Sequence, residues 1–516
     1  MILFHHLKSY NIACDCVNLY IKSLLFLAFY FIGWNNAFSQ NCLSGVTVLQ
    51  QQSQIDSFPQ NHPNCNNILG SLIIMESTSG NIVGLDSLYL LKEITGNLKI
   101  ESNLKLKSLS GLDSLISVGG DLKLKNNSSL TDFNGLSNFT SIGGDFKVIE
   151  NDSLVDMIGL DSLSLVGGWL YFSNNSSLIN FNGFGSIDSL PGRLRIENNE
   201  RMKNFNGFDS LEYVGGLWVY NLDSVLDMTG FYDLERINGF IEIVGNERMV
   251  NLNGLNKLKR IDWFVRIEDN ASLVNMVGLD SLESINGYLK VEYNDSLTNL
   301  NGIGVFDSIA GHLYITDNDQ LQDLSGLENV EFVGKDLEIT GNDNLTNISD
   351  LLALKSVQGA IRFLDNTVLG SLTGIDSIDH TGISELMIMN CDSLSFCGVT
   401  SVCNYISSSG SNYTIYSNAS GCSSFIQVLN TCFVGTDHVE RVNIEVYPNP
   451  TKDYLKIKQA VSEHITYSIF DLYGKEIMIG VLVNDQIELN ELSNGFYFIK
   501  FIHGNQEHIF RFIVSR

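Results

Sequence analysis

The chain has 516 residues, 44% of them hydrophobic, with 45 glycines and only 5 prolines. That is enough for several domains or one long repeat array, with apolar material for a large core and many turns. Lys and Arg number 31 against 58 Asp and Glu, a net charge of −27, which argues against a nucleic-acid partner, because phosphate binding needs clustered cations. The acidic balance reads as a solubilising surface.

At the N-terminus, Lys22 precedes the apolar run Leu24 to Trp34, and Ala37-Phe38-Ser39 then offers a small-x-small cleavage site before Gln40. The run is too short for a membrane span and suits a signal peptide core, so residues 1–39 are read as a signal peptide, with the true start codon left open. Asn41 before Cys42 is a poor lipoprotein signal, and no later segment is apolar enough to span a bilayer. Export places the remaining cysteines in an oxidising compartment. Seven are left: Cys42, Cys65, Cys391, Cys397, Cys403, Cys422 and Cys432.

Residues 41–71 read as an N-terminal cap closed by Cys42 and Cys65. From 72 to 394 one line recurs, as in "GLDSLESINGYLKVEYNDSLTNLN" at 278–301. The pair L-x-I starts at Leu72, Leu98, Leu122, Phe146, Leu170, Leu194, Leu217, Ile241, Val265, Leu289, Leu313, Leu337, Ile361 and Leu386. Steps are 24 residues, except 26 at the start, 23 into Leu217 and 25 at the end. A fixed period over about 14 units predicts an all-β solenoid, each coil stacked on the next. Only Leu289-x-Val291 alternates as a strand does. The other apolar positions of that line recur every three or four residues among Asn, Asp, Ser and Gly, which favour turns, and Gly287 is expected to turn the chain.

An asparagine follows each strand: Asn103, Asn127, Asn151, Asn175, Asn199, Asn246, Asn270, Asn294, Asn318, Asn342 and Asn366. An amide both donates and accepts, so these residues are expected to form a structural ladder where the strand bends. Leu222 and Cys391 occupy the site in two coils, which makes Cys391 a buried ladder residue and the odd thiol. The pattern L-x-I-x-x-N-x-x-L-x-x-L-x-G-L is similar to leucine-rich repeats, most like the receptor L-domain group. The resemblance covers roughly 72–394 and implies a right-handed solenoid used for recognition without catalysis.

Residues 395–434 hold Cys397, Cys403, Cys422 and Cys432, whose spacing lacks the short metal-binding form and points to two disulfides in a C-terminal cap; four cysteines allow three connectivities. After a linker at 435–443, residues 444–516 show short alternating strands and suggest a small β-sandwich. Tyr447-Pro448-Asn449-Pro450, the DLYGK segment with Gly474, and the NGFY segment with Gly495 and Tyr497 resemble the type A sorting domain of the type IX secretion system. That resemblance implies translocation across an outer membrane by the type IX machinery, with the tail usually removed and the mature protein held on surface lipopolysaccharide or released.

No nucleotide, zinc-hydrolase or serine-hydrolase motif occurs, and "TDNDQLQD" at 316–323 lacks calcium-loop spacing. No catalytic residue, metal or cofactor is therefore expected. Asp86, Asp113, Asp161, Asp209, Asp280 and Asp376 recur as turn residues do, and glycosylation is not supported. The informative letters are those that vary on the outward strand positions. From Trp169 to Tyr314 these turn aromatic and basic: Trp169, Tyr171, Arg195, Trp218, Tyr220, Phe240, Phe264, Arg266, Tyr288 and Tyr314. Such residues dominate recognition hot spots and can stack on sugars, so they are the candidate ligand face; the competing reading is ring stacking that only stabilises the sheet. The expected function is a secreted or surface-displayed, non-enzymatic, adhesin-like protein that binds a protein or carbohydrate. The alternatives are a structural surface spacer and a polysaccharide-acting β-helix enzyme.

Overall fold

A computed structural model of the chain describes residues 41–77, 81–432, 445–458, 466–482, 485–503 and 506–516. The signal peptide at 1–39 and the linker at 435–443 lie outside them.

The line at 278–301 shows how one coil is built. Leu279, Leu282, Ile285, Leu289, Val291, Leu297 and Leu300 are all buried. Between strands the chain steps by three residues, because the turns close with N–H to C=O bonds three residues back, as in Leu282 to Leu279 (2.9 Å) and Leu297 to Asn294 (3.0 Å). Each step delivers one apolar side chain inward, so the spacing of three that resembles a helix is a chain of tight turns. A fully buried Leu or Ile stabilises by roughly 1.5–3 kcal/mol.

The strand Leu289–Glu292 follows, with residues alternating inward and outward. It pairs in parallel and in register with both neighbours, Lys290 opposite Arg266 and Tyr314. The solenoid has about 16 turns, two beyond the 14 that the repeat predicts. The additional strands are Asn41–Leu49 and Tyr413–Tyr416, which extend the sheet at its two ends. A second, two-residue strand at the other corner of most coils, such as Ser284–Ile285, pairs with its equivalents above and below. Two residues are too few to show alternation, so the sequence pattern misses it.

From Leu98–Glu101 onward the chain leaves each long strand of the solenoid through a residue of positive φ. Asn126, Asn174, Asp269, Tyr293 and Asp317 are among them, at φ 51–59°. This left-handed position favours Asn, Asp and Gly. Gly287 has a different job from the expected one. Its φ is not positive; instead a Cβ there would fall 2.3 Å from the carbonyl oxygen of Trp263 in the preceding coil. The turning glycine of that coil is Gly278, at φ +120°.

The asparagines at the bend are fully buried. The Asn270 side chain donates to the carbonyls of Ile243 (2.9 Å) and Glu268 (3.0 Å) and to Asn294 Oδ1 (3.2 Å). Its own Oδ1 accepts from the backbone N–H and side chain of Asn246, both at 3.1 Å. The pattern repeats along the array and ends at Asn418, which accepts from Cys391 N–H (3.0 Å) and donates to Ile388 C=O (2.8 Å). Leu222 interrupts it: Leu222 N–H still donates to Asn246 (3.1 Å), but nothing at position 222 accepts from Asn199. Cys391 lies in the row with its thiol directed at the carbonyls of Phe363 and Met389.

Disulfides join Cys42 to Cys65, Cys397 to Cys422 and Cys403 to Cys432. The last joins helices Thr400–Ser407 and Phe425–Cys432 to each other, and Cys397–Cys422 joins the segments that lead into them. One apolar core runs from Leu49 to Val428. The C-terminal residues form a three-stranded and a four-stranded antiparallel sheet around a separate core that includes Leu455, Ile469, Ile499 and Phe512.

Candidate ligand-binding face

Outward positions of the long strands make three columns across the sheet. One precedes the apolar pair, one splits it, and one follows it. Period-two alternation puts all three on the same face.

The leading column carries Trp169, Arg193, Gly216, Phe240, Phe264, Tyr288 and His312. Its rings stack coil upon coil, Phe240 on Phe264 at 4.9 Å and Phe264 on Tyr288 at 4.4 Å, both nearly parallel. Trp218 of the middle column closes the row, 5.4 Å from Trp169 and 4.7 Å from Phe240. Tyr314 stacks on His312 instead, at 4.9 Å. Parallel in-register pairing sets this geometry, because strands about 4.8 Å apart hold equivalent side chains at stacking distance.

The structure thus brings Trp169, Tyr171, Arg195, Trp218, Tyr220, Phe264, Arg266, Tyr288 and Tyr314 onto one half-exposed face. Phe240 lies on that face too but keeps only 4% of its surface, covered by its neighbours. It is a support beneath the rings and no contact for a ligand. Trp263, beside Phe240 at 6.3 Å, is 54% exposed and is the most open indole of the group. It sits at the corner before the strand, where alternation does not reach.

The charged members are mostly paired. Arg195 is held by Glu197 through Nε at 2.8 Å, with its guanidinium over Tyr171, Trp218 and Tyr220. The Tyr171 hydroxyl donates to the same carboxylate. Burial raises the Tyr171 pKa and Glu197 raises it further. Arg266 lies between Glu268 (2.6 Å) and Glu242 (3.7 Å), and Lys290 reaches Glu268 at 3.5 Å and also Glu292. These carboxylates respond differently. Burial pushes Glu242 up, and Arg266 and a hydrogen bond with Trp218 only partly oppose it. Burial also disfavours the Glu268 charge, but Arg266 and Lys290 prevail and its pKa falls.

The turn aspartates sit off this face. Asp113, Asp209 and Asp280 each accept from the N–H of the glycine two residues earlier, at 2.8–2.9 Å. Among the described residues, no group of three or more His, Cys, Asp or Glu could hold a metal. Cys391 is buried, and burial pushes its thiol up to about 11. Iodoacetamide should therefore leave it unmodified in the native protein at pH 8 and label it once the chain is denatured, read by intact mass. An unfolded thiol ionises near 9 and the folded one near 11, so this group's stabilising contribution is whole below pH 9 and is lost as pH rises toward 11.

In the C-terminal unit, Asn449 accepts from Ile513 N–H and donates to Arg511 C=O, both at 2.9 Å. Gly474 takes φ +77° in the DLYGK turn, and the buried Tyr497 donates its hydroxyl to Ser493 C=O at 2.9 Å beside Gly495. Tyr447, Pro448 and Pro450 lie at the start of this unit, with Tyr447 exposed. Arg516 donates to the carbonyls of Leu489 (2.6 Å) and Leu492 (2.7 Å), a role the sequence did not reveal.

Residues 64–178 match the family model of the receptor L domain, and residues 445–515 match that of the secretion system C-terminal sorting domain. A search among curated proteins finds no match. The first match covers the opening coils of the repeat solenoid, and the second, a type IX sorting tail, covers the C-terminal sheets. The tail marks it for export to the cell surface or extracellular space. Both matched families are non-catalytic, and among the described residues no helix is long and apolar enough to cross a membrane.

Proposed function

We propose that this is a secreted or surface-displayed recognition protein, adhesin-like, whose ligand face is the outward sheet from Trp169 to Tyr314 and whose ligand is a protein or a glycan. The carrying observation is an asymmetry. Core leucines, turn glycines and ladder asparagines recur at nearly every coil, as fold determinants must in a solenoid. The aromatic and arginine residues do not: they gather on one face over seven strands, about 29 Å of sheet. The receptor L-domain match supports a binding role. Fold does not name a ligand, so the argument rests on the face.

The spacer reading has its own support, because the rings stack largely on one another and most cations are paired. One experiment separates the two. The triple variant Trp169→Ala/Trp218→Ala/Tyr314→Ala should keep the solenoid's circular dichroism and lose binding in a glycan array and a surface pull-down, at least about tenfold from hot-spot magnitudes. Unchanged binding in a folded variant removes this face from the reading. No ligand at all, with abundant copies on the surface, favours the spacer.

A further inference from the structure

Between the 26-residue step at its start and the 25-residue step at its end, the period of the array breaks once. The step from Leu194 to Leu217 is the 23-residue one, and the deletion falls between the two strands of that coil, at the leading column. In that coil and the one before it the short and long strands merge, into Tyr213–Tyr220 and Ser189–Glu197. Their pairing slips between Leu190 and Arg193. Leu222, which interrupts the asparagine ladder, belongs to the same coil. Four departures at one spot are unlike the repeat-wide features that make the fold.

They have one consequence on the outer face. Gly216 leaves the leading column without a side chain, and the stem of Arg193 lies across the gap: a Cβ on Gly216 would meet Arg193 Cγ at 3.4 Å, Cδ at 3.7 Å and Phe240 Cε1 at 3.7 Å. The Arg193 guanidinium consequently sits 5.0 Å from the Trp169 ring, 5.2 Å from Trp218 and 5.1 Å from Phe240. Arg195, Arg266 and Arg362 on this face are each bound by carboxylates. Arg193 has no carboxylate and no hydrogen-bond acceptor among the described residues. Rings hold its position through cation–π attraction and leave its in-plane N–H donors unused.

The geometry points to Arg193 as an anion receptor within the candidate face, for a sugar that carries one anionic substituent, a carboxylate or a sulfate ester. This rests on the recognition reading above. A planar guanidinium takes such groups in a two-pronged fork. The half-exposed Trp169 and Trp218 offer ring surface to the sugar's C–H face. The net charge of −27 repels a partner of dense negative charge, so one isolated anion among hydroxyl groups fits where an acidic protein patch does not.

The test uses the full chain and calorimetry against four probes: uronate-containing oligosaccharides, the same sugars with carboxyls reduced to alcohols, their sulfated counterparts, and an acidic peptide. At least one anionic sugar should bind, and Arg193→Gln or carboxyl reduction should weaken it at least about tenfold. Arg193→Lys, which keeps the charge without the fork, should fall between. Thermal melts of both variants check the fold. Equal binding by Arg193→Gln, tighter binding of the reduced sugar or the peptide, or no binding by any anionic sugar overturns the assignment. A ligand lost with Trp169→Ala/Trp218→Ala but kept with Arg193→Gln leaves the recognition face standing and refutes only the anion receptor.

Discussion

Asn270→Leu is expected to destabilise the solenoid by about 3 kcal/mol or more, while Leu222→Asn is expected to be nearly neutral or mildly stabilising. The asymmetry follows from what each change does to buried polar groups. Asn270 is fully buried and serves three coils. Replacing it orphans the Asn246 N–H and removes the amide's bonds to Asn246, Ile243, Glu268 and Asn294, while Asn294 Oδ1 keeps the backbone N–H of residue 270 and the Asn246 amide keeps the Val219 and Val244 carbonyls. An orphaned buried N–H costs about 1–3 kcal/mol, and the lost amide bonds add about 0.5–1.5 kcal/mol each. The ladder already tolerates Leu222 at the cost of one missing acceptor, that for Asn199. An asparagine there would supply the acceptor, at the expense of burying an amide where Leu222 packs. Urea unfolding of both variants checks the pair. Equal losses would mean that side-chain volume, not the hydrogen bonds, governs this position.

The same ladder shows what was legible before the structure. A residue type that recurs at fixed period with a physical reason attached can be assigned from sequence, so Asn103 through Asn366 and the strands before them could be placed. Asn418 escaped because the step to Tyr413 is 27 residues and lies among the cap cysteines, although "YTIYSN" fits the motif. The two-residue strands escaped because alternation needs more than two residues to show. On the candidate face, alternation placed the aromatic columns correctly. It could not tell a ring open to solvent from one covered by the next coil, which is why Phe240 and Trp263 exchange importance. Nor could it show that Arg195 is held by a carboxylate two residues along its own strand while Arg193 is not. That difference depends on side-chain direction and on the gap at Gly216, neither of which is written in a period of 24.

Gly278→Val should have the larger effect still, about 4 kcal/mol or more, enough to open the array at that coil. Gly278 has φ +120°, a region L-residues rarely enter, and a Cβ there would lie 2.0 Å from the Leu252 carbonyl oxygen and 2.2 Å from its carbon. Those atoms are backbone of the preceding coil, so nothing flexible can move aside, and β-branching adds a second clash. The coils would have to separate or the turn would have to change its hand, and strain of this kind costs several kcal/mol. Gly254 and Gly326 occupy the same place in their coils, at φ +114° and +112° and with a carbonyl oxygen of the preceding coil 2.0 and 2.3 Å away, so valine at either should behave alike. Gly185→Ala is the control: its φ is ordinary and no atom lies within 4 Å, so a change within about 0.5 kcal/mol is expected. Because each coil contacts only its neighbours, the damage should be local before it is global. Hydrogen exchange should therefore accelerate first in the strands Val265–Glu268 and Leu289–Glu292, with the distant strands Leu98–Glu101 and Ala360–Leu364 still protected. Uniform loss of protection along the array would show instead that the solenoid unfolds as one cooperative unit.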